Sequence, residues 1–469
     1  MVDSVARWVG DARVQRLLLP AGLLVLAATL IYNLRYGPAR FDQSDFQSFY
    51  GAAVALRSGI DPYLPAVAWI NAYQPTGSAA LFGTKVYVYA PFFGYLLTPF
   101  TFLPKYIALT LWDFLNVGFL VATIFLALDA AGVRVRWAVV IALAGAASLI
   151  QAVHKEWFLG QTDVFILCLI TFSFWLRTRG HKDTAGLVLG VVCAIKPTMA
   201  LLLFFLLWKR EFRYALLAGV SGALLLLVPF AWLGSDVWNH QTAIWKFWSN
   251  QFVAQAHNDS PKGVLTRLFT ANPVVRPIFV APALVTALWA VVIAAVGLCA
   301  AALVTSRPIR RDLLSLLELG LALEAVFLVS PLTEWPYLLV LIVPLVGCIA
   351  WLVSAYQEGA RNVVGAAVAT VAIWVALIGP AGFIEYRVVD HWNRPGLSAD
   401  ALVILAPIYL YVLIGAFLLQ LVVIGRVRKI RLTESLTGMP RTLPNVTAEF
   451  VHDAWSALPA AITRTARVG

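Results

Sequence analysis

Apolar runs of bilayer-crossing length recur along this chain, and they leave very few folds open to it. The first, Leu17 to Ile31, stands behind Arg7, Arg13 and Arg16, and similar runs return as far as the segment before Arg426. Crossing about 30 Å of hydrocarbon takes roughly 17 to 25 apolar residues of helix. Within that layer only helices and closed barrels satisfy their own backbone hydrogen bonds. The runs are long and continuous, so helices are expected. With 61% hydrophobic and 13% charged residues over 469 positions, a soluble globule is excluded. The expected class is an all-α polytopic membrane protein.

The net charge of +11 could point to nucleic acid, but Lys and Arg fall in short clusters between apolar runs. They read as topology signals, and no nucleic-acid partner is expected. The clusters Arg134 to Arg136, Arg177 to Lys182, Trp208 to Arg210, Ser306 to Arg311, Arg361 and Arg426 to Arg431 all fall on one side, the cytoplasmic one by the positive-inside rule. The outward joints are then 34–104, 154–161, 234–277, 330–337 and 383–399. Cys168, Cys193, Cys299 and Cys348 each lie inside an apolar run without a Cys or His at ligand spacing, so neither disulfides nor zinc are expected. The first apolar run imitates a signal peptide, but the many spans after it favour an uncleaved anchor.

Two pieces break the regular pattern. Val86 to Pro104 carries Pro91, Pro99 and Pro104 and reads as a re-entrant or hairpin element on the outer side. Thr184 to Trp208 is divided by Lys196-Pro197 into halves too short to cross cleanly, a broken pair with a lysine at its tip lining a cavity. On this frame about 12 spans are expected, with both termini cytoplasmic. Residues 1–425 form the transmembrane domain, with 34–104 as its first extracytoplasmic loop and 426–469 as a basic cytoplasmic tail.

The first outer loop opens on Phe41-Asp42-Gln43-Ser44-Asp45. Phe46, Phe49, Tyr50, Ala53 and Leu56 follow at helical spacing, with polar residues between them, which predicts an amphipathic interfacial helix. Gly59-Ile60-Asp61-Pro62 supplies its stop. Asp45 in the first turn has two readings, a cap for the helix or a carboxylate that works on a substrate. Asp42, three residues upstream, is the more natural cap, and Asp61 belongs to the turn.

Asp45-Phe46-x-x-Phe49-Tyr50 with Arg57, Gly59 and Asp61-Pro62-Tyr63, followed by Val86-Tyr87-Val88-Tyr89-Ala90-Pro91, resembles the first outer loop of the family 87 membrane glycosyltransferases of the GT-C class. Leu159-Gly160-Gln161-Thr162-Asp163 is similar to that family's Gly-Gln-x-Asn element, with Asp163 in place of the usual Asn. Ala194-Ile195-Lys196-Pro197 resembles its lysine-bearing break, and Asn258-Asp259-Ser260 with Arg267 its Asn-x-Ser loop. The ordered set extends over most of the chain. The resemblance implies a GT-C fold and inverting transfer of a sugar from a polyprenyl-phosphate donor, without a nucleotide sugar, to a lipid-linked or glycan acceptor on the extracytoplasmic face of a bacterial cell membrane. It further implies that Asp45 is the general base. Mannose is the first expectation for the sugar and arabinofuranose the second.

Displacing a prenyl phosphate from an anomeric carbon needs a base at the acceptor hydroxyl and positive charge at the leaving phosphate. Lys196 and Arg267 are the expected phosphate cations, although a lysine near the interface can also simply snorkel. His154, Glu156, Gln161, Asn258 and Glu334 are the expected sugar or acceptor contacts. The loop of His154, Lys155 and Glu156 equally fits an interfacial aromatic belt, and the Asn258 loop equally fits a plain connector. The turn Ser330-Pro331-Leu332-Thr333-Glu334-Trp335 lacks the histidines that mannosyl-type members often carry, and Glu334 is the candidate to replace them. Glu324, an intramembrane acid, ranks second to it. Neither a cofactor nor a metal is expected. A lipid or solute transporter, or a non-catalytic envelope scaffold, is the reading from other classes, but the chain shows no internal repeat of the kind transporters carry.

Overall fold

The computed structural model describes residues 12–72, 86–255, 257–272, 277–360, 363–379 and 407–430. The joint at 383–399, Arg361 and the tail beyond residue 430 lie outside the described residues. Among the described residues the chain is helical, with no strand and one isolated backbone bridge, Asn258 to Glu334.

Helix α1 (Ala12–Leu34) leads into α2 (Ala39–Gln43), α3 (Phe46–Arg57) and α4 (Leu64–Ala72). Next come α5 (Pro91–Leu96), a 3-10 turn over Thr98–Phe102 and the long α6 (Lys105–Ala130). Helices α7 (Trp137–Ser148) and α8 (Gln151–Leu159) are bent against each other by 78°. Then follow α9 (Asp163–Thr178) and α10 (Lys182–Ile195), a 3-10 stretch over Pro197–Leu201, and α11 (Leu202–Trp208). Helices α12 (Phe212–Leu227), α13 (Phe230–Leu233), α14 (Ser235–Gln251) and α15 (Pro261–Phe269) come before α16 (Pro282–Leu303) and α17 (Leu313–Val329). A 3-10 stretch over Trp335–Leu341 runs into α18 (Ile342–Gln357), and α19 (Val364–Ile378) and α20 (Ile408–Arg428) complete the described chain.

Where the sequence led us to expect about a dozen spans, among the described residues six helices are long and apolar enough to cross a bilayer, or seven if the bent pair is one span. The shortfall has a physical source. Pro197 cannot donate to the turn before it, so α10 ends at Ile195 and the run resumes only at α11. Pro91, Pro99 and Pro104 likewise divide residues 86–104 into two short pieces. Apolar side chains of α1 (Leu17, Leu24, Ile31), α16 (Val291, Leu298) and α19 (Val368, Val371) lie exposed, a surface that belongs against hydrocarbon. Helices α17 and α18 are buried on nearly every side and form the centre.

Ion pairs gather the basic joints at one end of the bundle. Asp129 takes Arg179 at 2.5 Å and Arg311 at 2.6 Å. Glu211 takes Arg177 and also the backbone amide of Ile309, and Lys209 is buried against Glu318 at 2.5 Å. The clusters 177–182, 208–210 and 306–311 are thereby tied together, with several of their cations paired to carboxylates.

The first loop is built at the other end. Phe46, Phe49, Ala53 and Leu56 of α3 are buried, and Gly59 follows the helix at φ +69°, a left-handed conformation that glycine adopts without strain. Asp61 accepts from the amide of Tyr63 at 2.8 Å and pairs with His240 of α14 at 2.6 Å. Asp42 is no helix cap, contrary to expectation. It lies within α2 and reaches Lys105 at 3.2 Å on the surface. The anchor of the loop is Arg40, buried against Asp113 of α6, a pair whose members gave no signal in the sequence.

Replacing Asp113 with Leu leaves the buried Arg40 charge uncompensated. The expected loss is about 3–5 kcal/mol of stability. Arg40→Met combined with Asp113→Leu should recover most of it, and thermal unfolding in lipid compares the variants.

Candidate active site

Asp45 sits immediately before α3, and its backbone amide donates to Leu159 O at 2.8 Å. That bond docks the first loop onto the turn after α8. The turn depends on Gly160, whose φ of +62° closes the helix. A Cβ at Gly160 would also lie 2.7 Å from Leu109 Cδ1 and 2.8 Å from Phe46 Cβ. So constrained, the next residue delivers its amide: Gln161 Nε2 donates to Asp45 Oδ2 at 2.5 Å. Trp112 of α6, adjacent to Asp113, holds the carbonyl of Gln161 through Nε1 at 3.0 Å. One turn of α6 therefore registers both halves of the Asp45–Gln161 pair.

Two residues further on, Asp163 opens α9 and its Oδ1 pairs with Lys196 Nζ at 2.5 Å. Lys196 occupies the break after α10, as the Lys-Pro pair predicts, with Nζ 3.2 Å from the centroid of the Tyr337 ring. Glu156 is buried and accepts the amide of Val164 on Oε1 at 3.1 Å, which caps α9 from the preceding helix. Tyr89 closes the group and shares a hydrogen bond of 3.1 Å with Thr162. Its own segment is pinned by Tyr63 Oη on Tyr89 O at 2.7 Å and Trp245 Nε1 on Val88 O at 2.8 Å.

The fourth wall is the 330–337 turn. Asn258 clamps it: Nδ2 donates to Val253 O and Pro331 O, while Oδ1 accepts from the amides of Ser260 and Thr333. All four of these Asn258 bonds go to backbone groups. Arg267 is 1% exposed; its Nη1 donates to Gln255 O at 2.5 Å and Asn258 O at 2.9 Å, while Nη2 is buried without a hydrogen-bond partner among the described residues. Burial lowers its pKa to about 10, with Asp259 acting in the opposite direction. The bridge from Asn258 carries Glu334 toward the cluster. Burial pushes the Glu334 carboxyl above the ordinary carboxylate range; His257 pulls it down, and Asp45 adds to the rise. His154 is elsewhere, 3.3 Å from Asn33 and against the Tyr32 ring on the α1 side. Glu324 is buried inside α17, with neither oxygen partnered among the described residues.

The sequence reading thus finds Asp45, Gln161, Glu156, Lys196 and Glu334 drawn together, and misses Tyr337 as the ring over Lys196 and Asp163 as its ion partner. The Lys-Pro break signalled the lysine, but nothing local to Tyr337 signalled the ring. No three His, Cys, Asp or Glu side chains among the described residues are grouped so as to hold a metal ion. What the arrangement offers chemically is a carboxylate oriented by an amide, the Lys196 cation, and three further acids, Glu156, Asp163 and Glu334, in a largely buried setting that strengthens each charge.

The model of glycosyltransferase family 87 matches residues 87–331, more than half of the chain. The chain belongs to that family. The match contains Tyr89, Glu156, Gln161, Asp163 and Lys196, while Glu334 stands just beyond its end and Asp45 well before its start. The family 87 chain is also similar to a polyprenol-phosphate-mannose-dependent alpha-(1-2)-phosphatidylinositol mannoside mannosyltransferase of Mycobacterium tuberculosis (strain ATCC 25618 / H37Rv). The two are 28% identical over 205 residues, which is 40% of this chain and 48% of that protein. The chain therefore spans about half the length of the curated relative it matches.

Two outcomes check the geometry. Gly160→Ala should lose most transfer activity, because the Cβ displaces Phe46 or Leu109 and with it the Asp45–Gln161 register; an activity assay beside a thermal melt separates the two losses. The raised Glu334 carboxyl binds its proton more tightly in the folded protein than in the unfolded one, so folded stability falls as pH rises above about 4.3, the ordinary glutamate value, through the raised one. Glu334→Gln should accordingly melt higher than wild type at about pH 8, an advantage that fades toward about pH 4.

Proposed function

We propose that this chain transfers a sugar, mannose first, from a polyprenyl-phosphate donor to a lipid-linked or glycan acceptor on the extracytoplasmic face, with inversion and with Asp45 as general base. The observation that carries the proposal is the Asp45 carboxylate held by Gln161 Nε2 at 2.5 Å, with Lys196 in the same charge cluster. In the reaction Asp45 takes the acceptor hydroxyl proton as that oxygen forms its bond to the anomeric carbon. The bond from that carbon to the phosphate oxygen breaks on the opposite face, and its electron pair leaves with the polyprenyl phosphate. Lys196 meets the phosphate charge, and Gln161 keeps the carboxylate aimed. Glu334 is the proposed hydroxyl contact, while Glu156, fully buried and bonded to the amide of Val164, supports the turn that holds Gln161.

The sugar and the class of donor are favoured by the relative, whose name states a polyprenol-phosphate-mannose donor and a phosphatidylinositol mannoside acceptor. Outward orientation is favoured by charge: the site lies at the end opposite the paired basic joints, and such joints face the cytoplasm. Both termini are then cytoplasmic, in a bacterial cell membrane.

The test is transfer from radiolabelled polyprenyl-phosphate-mannose and polyprenyl-phosphate-arabinose to phosphatidylinositol mannoside by the purified chain in lipid, without an ion gradient. Asp45→Asn should lower transfer by roughly 10²- to 10⁴-fold while leaving donor binding in place. Undiminished transfer in that variant removes Asp45 as the base, and transfer from the arabinose donor alone changes the sugar.

A further inference from the structure

The cation of the cluster is not presented as a lone charge. Asp163 Oδ1 holds Lys196 Nζ at 2.5 Å with both side chains mostly buried, at 7% and 13% exposure. Asp163 Oδ2 is buried and accepts no hydrogen bond among the described residues, and Glu156 Oε2 next to it is in the same condition. The groups that face this pair come from several elements: Glu156 from α8, Asp45 before α3, Tyr89 from the pinned segment, and Glu334 and Tyr337 around the 3-10 stretch. Phe327 of α17 also approaches Nζ, at 5.9 Å, and His257 stands beside Glu334. Lys196 thus works among carboxyls, one of which already compensates its charge.

We infer that Asp163, acting through Lys196, makes this site selective for a lipid phosphodiester, which carries one negative charge, over a lipid phosphomonoester, which carries up to two. The inference rests on the reading of Lys196 as the phosphate contact. An ammonium has three N–H donors, so Lys196 keeps donors for a phosphate oxygen while bound to Asp163. The ion pair has no net charge. A monoanion therefore gains the contact with Nζ at modest cost, whereas a second negative charge falls beside the Asp163 carboxylate, in surroundings where charges a few ångströms apart interact strongly. The consequence concerns turnover. Transfer breaks the bond from sugar carbon to phosphate oxygen and leaves the electron pair on the phosphate, so the diester donor becomes a monoester with a second ionisation near pH 6. At neutral pH the site repels what it has just made. Asp163 is in this sense a positioning residue that drives product release.

The matched probes are farnesyl phosphate and farnesyl methyl phosphate, which differ in charge but share the lipid tail. Their binding to the full chain in neutral-lipid nanodiscs is measured at about pH 5.5 and about pH 8, on either side of the monoester's second ionisation. Wild type should bind the diester about tenfold more tightly at the higher pH and the two alike at the lower. Asp163→Asn should close the gap by tightening the monoester, and Asp163→Glu should keep it. Equal binding of both probes by wild type at the higher pH overturns the inference, as does an Asp163→Asn variant that weakens both probes together, the mark of a merely structural role. Binding that is lost in Lys196→Met but shows no gap removes the selectivity and leaves the phosphate contact standing. Failure of wild type to bind either probe removes both.

Discussion

The hydrogen bond from the Asp45 amide to Leu159 O joins two joints that have no other reason to meet. Asp45 and Gln161 are 116 positions apart in the chain, and each belongs to a turn that a helix could have left in several orientations. Gly160 removes that freedom on one side, because its left-handed backbone and the contact with Phe46 admit no side chain. Arg40 removes it on the other by tying α2 to Asp113. Adjacent residues of one rigid helix, Trp112 and Asp113, serve the two sides. Such positioning on a packed helix is what a catalytic carboxylate requires, since small displacements of a reacting group are costly.

The two ends of the bundle solve opposite electrostatic problems with similar residues. At the basic end, Glu211 and Glu318 each take an arginine or lysine and a backbone amide, and Asp129 takes Arg179, Arg311 and the Trp175 indole, networks of the kind that hold loops. At the site end the accounting is left open. Glu156 and Asp163 each keep one buried oxygen without a partner among the described residues, and a single lysine stands among several acids. Unmade bonds of this kind are expensive in a fold; others occur elsewhere, at Glu324 and Gln241 for example, and what sets this pair apart is its place beside Lys196.

Much of this was legible in the sequence, and the parts that were not share a cause. The helical membrane class follows from hydropathy, whereas Asp45, Gln161 and Lys196 emerge together through the resemblance to the family's motifs. The Lys-Pro break and the Gly59 stop follow from backbone chemistry alone. The backbone partners of Arg267 and Asn258 were not legible, because hydrogen bonds ending on Gln255, Val253, Pro331 and other backbone groups leave no local trace in a sequence. Arg40, Asp113 and Tyr337 were silent because ion pairing and ring stacking between distant segments leave no periodic trace. The span count suffers for a related reason. The helices next to the site are interrupted by the residues that build it, so length and hydropathy undercount them.

The competing reading of Asp45, a helix cap, can be weighed on its backbone. A capping residue usually takes an extended conformation, from which its side chain turns back to the amides of the first turn. Ser260 and Asp312 do so, with ψ of 151° and 162°, accepting from Gly263 and Ser315 respectively. Asp45 holds the cap position of α3 at φ −74° and ψ −19°, a helical conformation, and its side chain makes no cap bond. Its carboxylate instead takes the amide of Gln161. Among the described residues Ser260 and Asp312 make caps in the ordinary way, whereas Asp45, like Thr162, holds a cap position without that geometry. At that position the capping energy, about 1 kcal/mol, is forgone so that the carboxylate faces Gln161 and the cluster around Lys196. A residue held there for stability alone has no reason to give up its cap.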